Sequence, residues 1–148
     1  VKVKTFSEIE AEFRARVARD VCCNLATIDA QQRPRSRVVQ PLWEGLMCWL
    51  LTDRTTPKAQ HIEQHRYVSL AYVGDTSKPL YVECRAEWIE DAAEKRRVWV
   101  LFKDTAKFGY DPTPFYKRAD HPHLGLLKLT PWRIQIDNSP GEIYIWEA

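Results

Sequence analysis

The amino-acid sequence predicts a mainly β, α+β domain: an antiparallel barrel, closed or split, with helices packed outside it. Three observations carry this expectation. Extended segments follow one another across short turns, as in an antiparallel sheet. Helical segments are few and do not alternate with strands as a parallel βαβ sheet requires. The strands are rich in Val, Trp and Tyr, whose exposed edges would pair with other chains unless the sheet closes.

Each element has its own signal. Ser7 followed by Glu10 is a capping-box pattern, and Phe6, Ile9, Phe13 and Val17 then recur at helical spacing, with Arg14, Arg16 and Arg19 off that stripe. Residues 22–29 are apolar enough for a buried strand, 29–33 read as a turn, and 35–42 as the returning strand. Trp43-Glu44-Gly45 is a second turn signal, and 46–52 is a strand apolar on both faces. These three strands in sequence predict a meander. Thr56 and Pro57 open a short helix, as N-cap and first helical residue. Residues 67–73 form the next strand, followed by a turn over 74–79. Leu80, Val82, Cys84, Ala86 and Trp88 then alternate with Tyr81, Glu83, Arg85 and Glu87, the clearest strand period in the chain. Asp91 and Glu94 open a helix to about residue 103, with Val98, Leu101 and Phe102 facing inward. A proline-interrupted stretch over 111–122 holds one short helix. Residues 124–137 and 142–146 are closing strands around Ser139-Pro140-Gly141.

The 148 residues make one domain, spanning 1–148, large enough to bury roughly 70% of its unfolded surface. A net charge of +2 is too small to imply a nucleic-acid partner. No apolar run approaches a membrane span, and the first residues lack the apolar centre of a secretion signal. The four cysteines include no C-x-x-C pair and read as buried thiols of a reducing compartment, so the expected location is the cytoplasm.

The richest stretch for function joins a strand to the Thr56 helix. Free amides and the positive dipole end of that helix meet the hydroxyls of Thr55 and Thr56 and the ammonium of Lys58, a combination that serves either as an anion cradle or as an ordinary surface helix start. On the preceding returning strand, Arg35 and Arg37 share a face. If that strand lies beside the Thr52 end of the next, Arg37 and Lys58 converge on one phosphate.

Arg33-Pro34, Ser36-Arg37-Val38-Val39, Leu51-Thr52, Thr56-Pro57-Lys58-Ala59, Ile62 and Val68-Ser69-Leu70 occur with matching order and gaps, and Leu129 to Arg133 reads L-T-P-x-R. In these motifs the chain resembles the pyridoxamine 5'-phosphate oxidase-like split-barrel flavoproteins, most closely the general stress protein 26 branch. The resemblance implies a homodimeric split β-barrel with FMN in interface clefts and a small-molecule electron donor or acceptor. It implies that Arg37 and Lys58 grip the phosphate, and that Thr52 and Thr56 bond the phosphate or ribityl chain. The main chain of Val38, Val39 and Gln40 would run under the ring, with Leu51 and Pro57 bordering the same site.

The chain also departs from the pattern. Leu42 stands where the vitamin oxidases carry a second phosphate-binding Lys, and Pro57 where they carry Arg. Ile136-Asp137 replaces the Trp-Asp of the stress-protein branch, leaving Trp132 and Trp146 as substitute aromatics. No Arg-x-His segment of the kind that binds pyridoxal phosphate closes the chain, so action on pyridoxamine phosphate is not expected. A flavin carrier or stress sensor, a haem- or deazaflavin-binding split barrel, and an interaction module built on an aromatic dimer face are the rival expectations. His61 and His65 read as surface histidines rather than metal ligands, and His121-Pro122-His123 as a loop. Asp104, Lys107 and Tyr110 read as a solvated polar connection, and no metal is expected. Without G-x-S-x-G, hydrolase chemistry has no support.

Overall fold

The computed structural model describes residues 1–104 and 110–148. Its elements in chain order are α1 (Glu10–Arg19), β1 (Cys23–Ile28), β2 (Pro34–Val39), β3 (Leu42–Glu44), β4 (Met47–Asp53), α2 (Pro57–Gln64), β5 (Tyr67–Tyr72), β6 (Leu80–Ile89), α3 (Ala92–Lys103), α4 (Thr113–Tyr116), β7 (Leu124–Ile136) and β8 (Tyr144–Glu147). The strands form one sheet in the order β2-β1-β5-β6-β7-β4-β3, with β8 paired to β7. All of these strand pairs are antiparallel. The sheet curls into a half-barrel with helices against it, the split-barrel architecture that the strand order and motifs predict.

The expected three-strand meander does not form. β2 pairs with β1, whereas β4 pairs with β3 and β7. The segment expected as one strand over 35–42 breaks at Gln40-Pro41, where proline has no amide to offer a ladder. β2 ends one edge of the sheet and β3 ends the other. The three peptide steps from Val39 to Leu42 span at most about 10 Å, so this crossing brings the two edges together. β3 and β4 then join through Gly45, whose φ of 61° favours glycine.

Two cores sit on either side of β4. Cys48 and Leu50 point into the curled sheet with Leu25, Leu70, Val82 and Leu129. Trp49 and Leu51 point outward under α3, with Val98, Phe102, Tyr116 and Leu126. That arrangement explains why β4 is apolar on both faces. α3 begins as read, with the Asp91 carboxylate accepting from the Ala93 and Glu94 amides. Arg97 clamps α3 to β3 through both Glu44 oxygens, at 2.8 and 2.9 Å.

The N-terminal helix starts differently from the reading. The Glu8 carboxylate accepts from the Lys4 and Thr5 amides, and Glu10 pairs with Arg14 instead of closing a box with Ser7. Ile9 and Phe13 are buried as the stripe predicts. Arg16, off the stripe, is also buried and donates to the carbonyls of Pro79 and Asp137 and to Asn138. The cysteines are free. Cys23, Cys48 and Cys84 are buried, but Cys22 is exposed, against the expectation of four buried thiols.

Candidate functional site

The α2 N-terminus is built from its own sequence. The Thr56 hydroxyl accepts from the Ala59 amide and donates to the Asp53 carbonyl at 2.7 Å, and Pro57 occupies the first turn. Thr56 is therefore committed to holding the helix start. Thr55 donates to the Asp53 carboxylate and caps the loop in the same manner. Capping sets Lys58 one residue inside the helix, half-buried, at the rim of a cavity of 390 Å³. That volume lies in the range of small-molecule sites, roughly 300–1,000 Å³.

The cavity lies where the crossing between the sheet edges leaves β2. Val38, Val39, Gln40, Leu50, Leu51 and Lys58 line it together with Tyr110, Asp111, Phe115 and Tyr116. Among the described residues Lys58 makes no hydrogen bond or ion pair. Burial, then the nearby charge of Arg37, lowers its pKa below the ordinary 10.5. A half-buried ammonium without an anion, next to a second cation, is an environment that an incoming phosphate relieves.

Arg37 approaches this ammonium from β2. Its Nη1 donates to Thr27 Oγ1 at 2.7 Å and to the carbonyls of Leu25 and Arg35 at 3.2 Å. Thr27 Oγ1 lies 2.9 Å from His61 Nδ1. Accepting from Arg37 leaves the threonine hydroxyl its proton and a second lone pair, so either tautomer of His61 completes this contact. Burial, then the charges of Arg37 and Arg35, push His61 below its usual 6.5 and favour the neutral ring. His61 was read as a surface histidine. It is instead buried on the inner face of α2, because the helix packs that face on β1. Arg35 turns away to the Asp29 carboxylate, 3.5 Å off.

The remaining predicted residues divide. Val38, Val39, Gln40, Leu51 and Lys58 lie around one cavity, whereas Arg37 is outside its lining and acts on Lys58 through its charge. Thr52, Thr56 and Pro57 are outside its lining. Thr52 Oγ1 is buried and has no hydrogen-bond partner among the described residues. Leu42 and Ile136 are buried in the two cores. Trp146 packs edge-on against Phe6, and Trp132 against Tyr67, so neither substitute aromatic lines this cavity.

Sequence reasoning missed the aromatic wall. Tyr110, read as part of a solvated connection, is half-buried and stacks edge-on against Phe102 at 5.4 Å and Phe115 at 6.1 Å. Asp104 is exposed, and Lys107 lies outside the described residues. The available signal was the run Asp111-Pro112-Thr113-Pro114-Phe115-Tyr116, two aromatics set beside prolines that fix a short turn of helix.

Comparison with known proteins places this architecture. A protein related to general stress protein 26 from Clostridium acetobutylicum superposes with a TM-score of 0.76 at 18% identity, over 97% of this chain and 96% of that one. A pyridoxamine 5'-phosphate oxidase-related, FMN binding protein from Nostoc punctiforme gives 0.65 at 19% identity, over 90% and 85%. A heme binding protein from Mycobacterium smegmatis gives 0.72 at 16% identity, over 98% of this chain and 59% of that one. At these identities the likeness is one of fold. No curated protein matches significantly. The family model described as pyridoxamine 5'-phosphate oxidase matches residues 9–136, and the chain therefore belongs to the pyridoxamine 5'-phosphate oxidase family.

Proposed function

We propose that this protein is a homodimeric FMN-binding flavoprotein that transfers reducing equivalents between a small donor and acceptor. The observation that carries the reading is the half-buried Lys58 ammonium, unpaired among the described residues, lining a 390 Å³ cavity together with three aromatic rings. A flat ring system ending in a phosphate matches both features. Lys58 supplies a point charge to the phosphate and Arg37 a planar fork, held in place by Thr27 and His61. The main chain from Val38 to Gln40 orients the ring, and Tyr110, Phe115 and Tyr116 exclude water from it. When bound, FMN supplies the hydride chemistry.

The lining favours flavin over haem. Among the described residues it holds no His, Cys or Met to serve as axial ligand. Its two tyrosines are held protonated by burial, with Tyr116 pushed up to about 12. The homodimer reading is supported by the outer side of β2. There Val38 is 68% exposed beside Val21 and Val73 along a second groove of 330 Å³. Pyridoxamine phosphate as substrate is not supported, since Leu42 fills the position of the second phosphate-binding Lys with a buried apolar side chain.

The direct test is a near-ultraviolet and visible spectrum of the purified protein, before and after incubation with FMN and removal of the excess. A retained flavin spectrum is expected. A Soret band or a bound deazaflavin would replace the cofactor, and a colourless protein whose melting temperature ignores FMN would leave an interaction module. With FMN bound, bleaching by NADH or NADPH followed by reoxidation separates an oxidoreductase from a carrier or sensor.

A further inference from the structure

The cavity lining combines the Lys58 ammonium and the end of β2 with an aromatic run, in which Tyr110 meets Phe115 at 6.1 Å and Phe115 meets Tyr116 at 6.5 Å. Phe115 is 71% exposed and touches both tyrosines. Neither tyrosine hydroxyl has a hydrogen-bond partner among the described residues. Both phenols are protonated at neutral pH, and burial raises them further, Tyr116 to about 12. The position at which the related branch carries Trp cannot serve, since Ile136 is 1% exposed inside the curled sheet.

We infer that Tyr110 and Tyr116 are ring-contacting residues of the ligand site. They cover the face of a planar, electron-poor heterocycle opposite β2, with Phe115 closing the rim. This assignment rests on the FMN reading and deepens it by naming what meets the ring. Electron-rich phenols stack on such rings. A phenol in contact with an excited flavin also quenches its emission by electron transfer, whereas a phenyl ring does not. The tyrosines therefore leave an optical signature independent of turnover.

The test uses the full chain titrated with FMN, following affinity and the emission of bound flavin together. The variants are Tyr110→Phe, Tyr116→Phe, the double variant and Phe115→Ala. Each is checked for an unchanged melting temperature without ligand. Phenylalanine keeps the packing of both tyrosines, and Phe115 is at the surface. Bound FMN is expected to be severalfold dimmer than free FMN in the parent protein. Brightness should recover stepwise in the Tyr→Phe variants with affinity nearly unchanged. Phe115→Ala should weaken binding by up to about tenfold, the scale of one aromatic contact. Bound FMN that is fully bright, or that remains equally quenched in the double variant, would overturn the assignment and leave the FMN reading intact. No binding by the parent protein would overturn both.

Discussion

Lys58, Arg37, Thr52 and His61 show how single side chains carry the site. Lys58 is desolvated beside another cation, so it gives the ligand-free fold little and the bound state much. Lys58→Ala should weaken FMN binding by about 1–3 kcal/mol, the scale of a charge-assisted bond, while leaving the ligand-free melting temperature unchanged or higher. Equal affinity by fluorescence titration would remove Lys58 from the site. Thr52 buries a hydroxyl with no partner among the described residues. Thr52→Val keeps its shape and should leave the ligand-free protein as stable or about 1 kcal/mol more stable, with FMN affinity little changed because Thr52 lies outside the cavity lining. A melting point that drops would mean the hydroxyl is satisfied in the free protein. His61 has a folded pKa below its unfolded value of 6.5. The unfolded chain therefore binds the proton more readily, and stability falls as pH drops below about 6.5. His61→Gln should flatten that loss between about pH 7 and 5 in thermal melts. The lowered carboxylates Asp29 and Asp53 titrate at more acidic pH and do not confuse it.

At the scale of elements, α2 is the unit that presents the cation. Its start depends on Thr56, which both accepts from Ala59 and donates to Asp53. Thr56→Ala should cost about 1 kcal/mol of stability and loosen Lys58, while Thr56→Ser should restore both. Chemical denaturation with and without FMN checks the pair, and an alanine variant as stable as the parent would show the cap to be dispensable. β2 matters in a different way. Its break at Gln40-Pro41 delivers its last residues to the cavity and sends the chain to the opposite sheet edge. Val38, near the end of this strand, lines both the candidate ligand cavity and the groove given to a second copy in the dimer reading.

Across the whole molecule, Arg16 ties α1 to the loops after β5 and β7. It donates at 2.7 Å to Pro79, at 2.6 Å to Asp137 and at 2.7 Å to Asn138. Arg16→Met would remove the donor to the Asp137 carbonyl and one of two donors to the Pro79 carbonyl, and should cost about 2–5 kcal/mol, read as a lower denaturant midpoint. FMN affinity of the still-folded fraction should be unchanged, because Arg16 lies outside the cavity lining.

Local rules made much of this protein legible from its residues. The period of two from Leu80 to Trp88, the Asp91 cap and the Thr56-Pro57 helix start follow from interactions within a few residues of chain, and they stand in the structure where they were read. Motif order supplied the family, and Lys58 could be singled out because a cation at a helix start opposes the local dipole. The residue pattern could not show that β2 leaves its expected neighbour, that Arg16 and His61 are buried, or that Tyr110, Phe115 and Tyr116 line one cavity with Lys58. Each of these depends on which strand edge meets which, a choice made by the curl of the whole sheet. The sequence by itself determined the elements and the cation, because their causes are local. Only the tertiary structure decided the cavity, because its walls come from segments far apart in the chain that meet when the two sheet edges are drawn together.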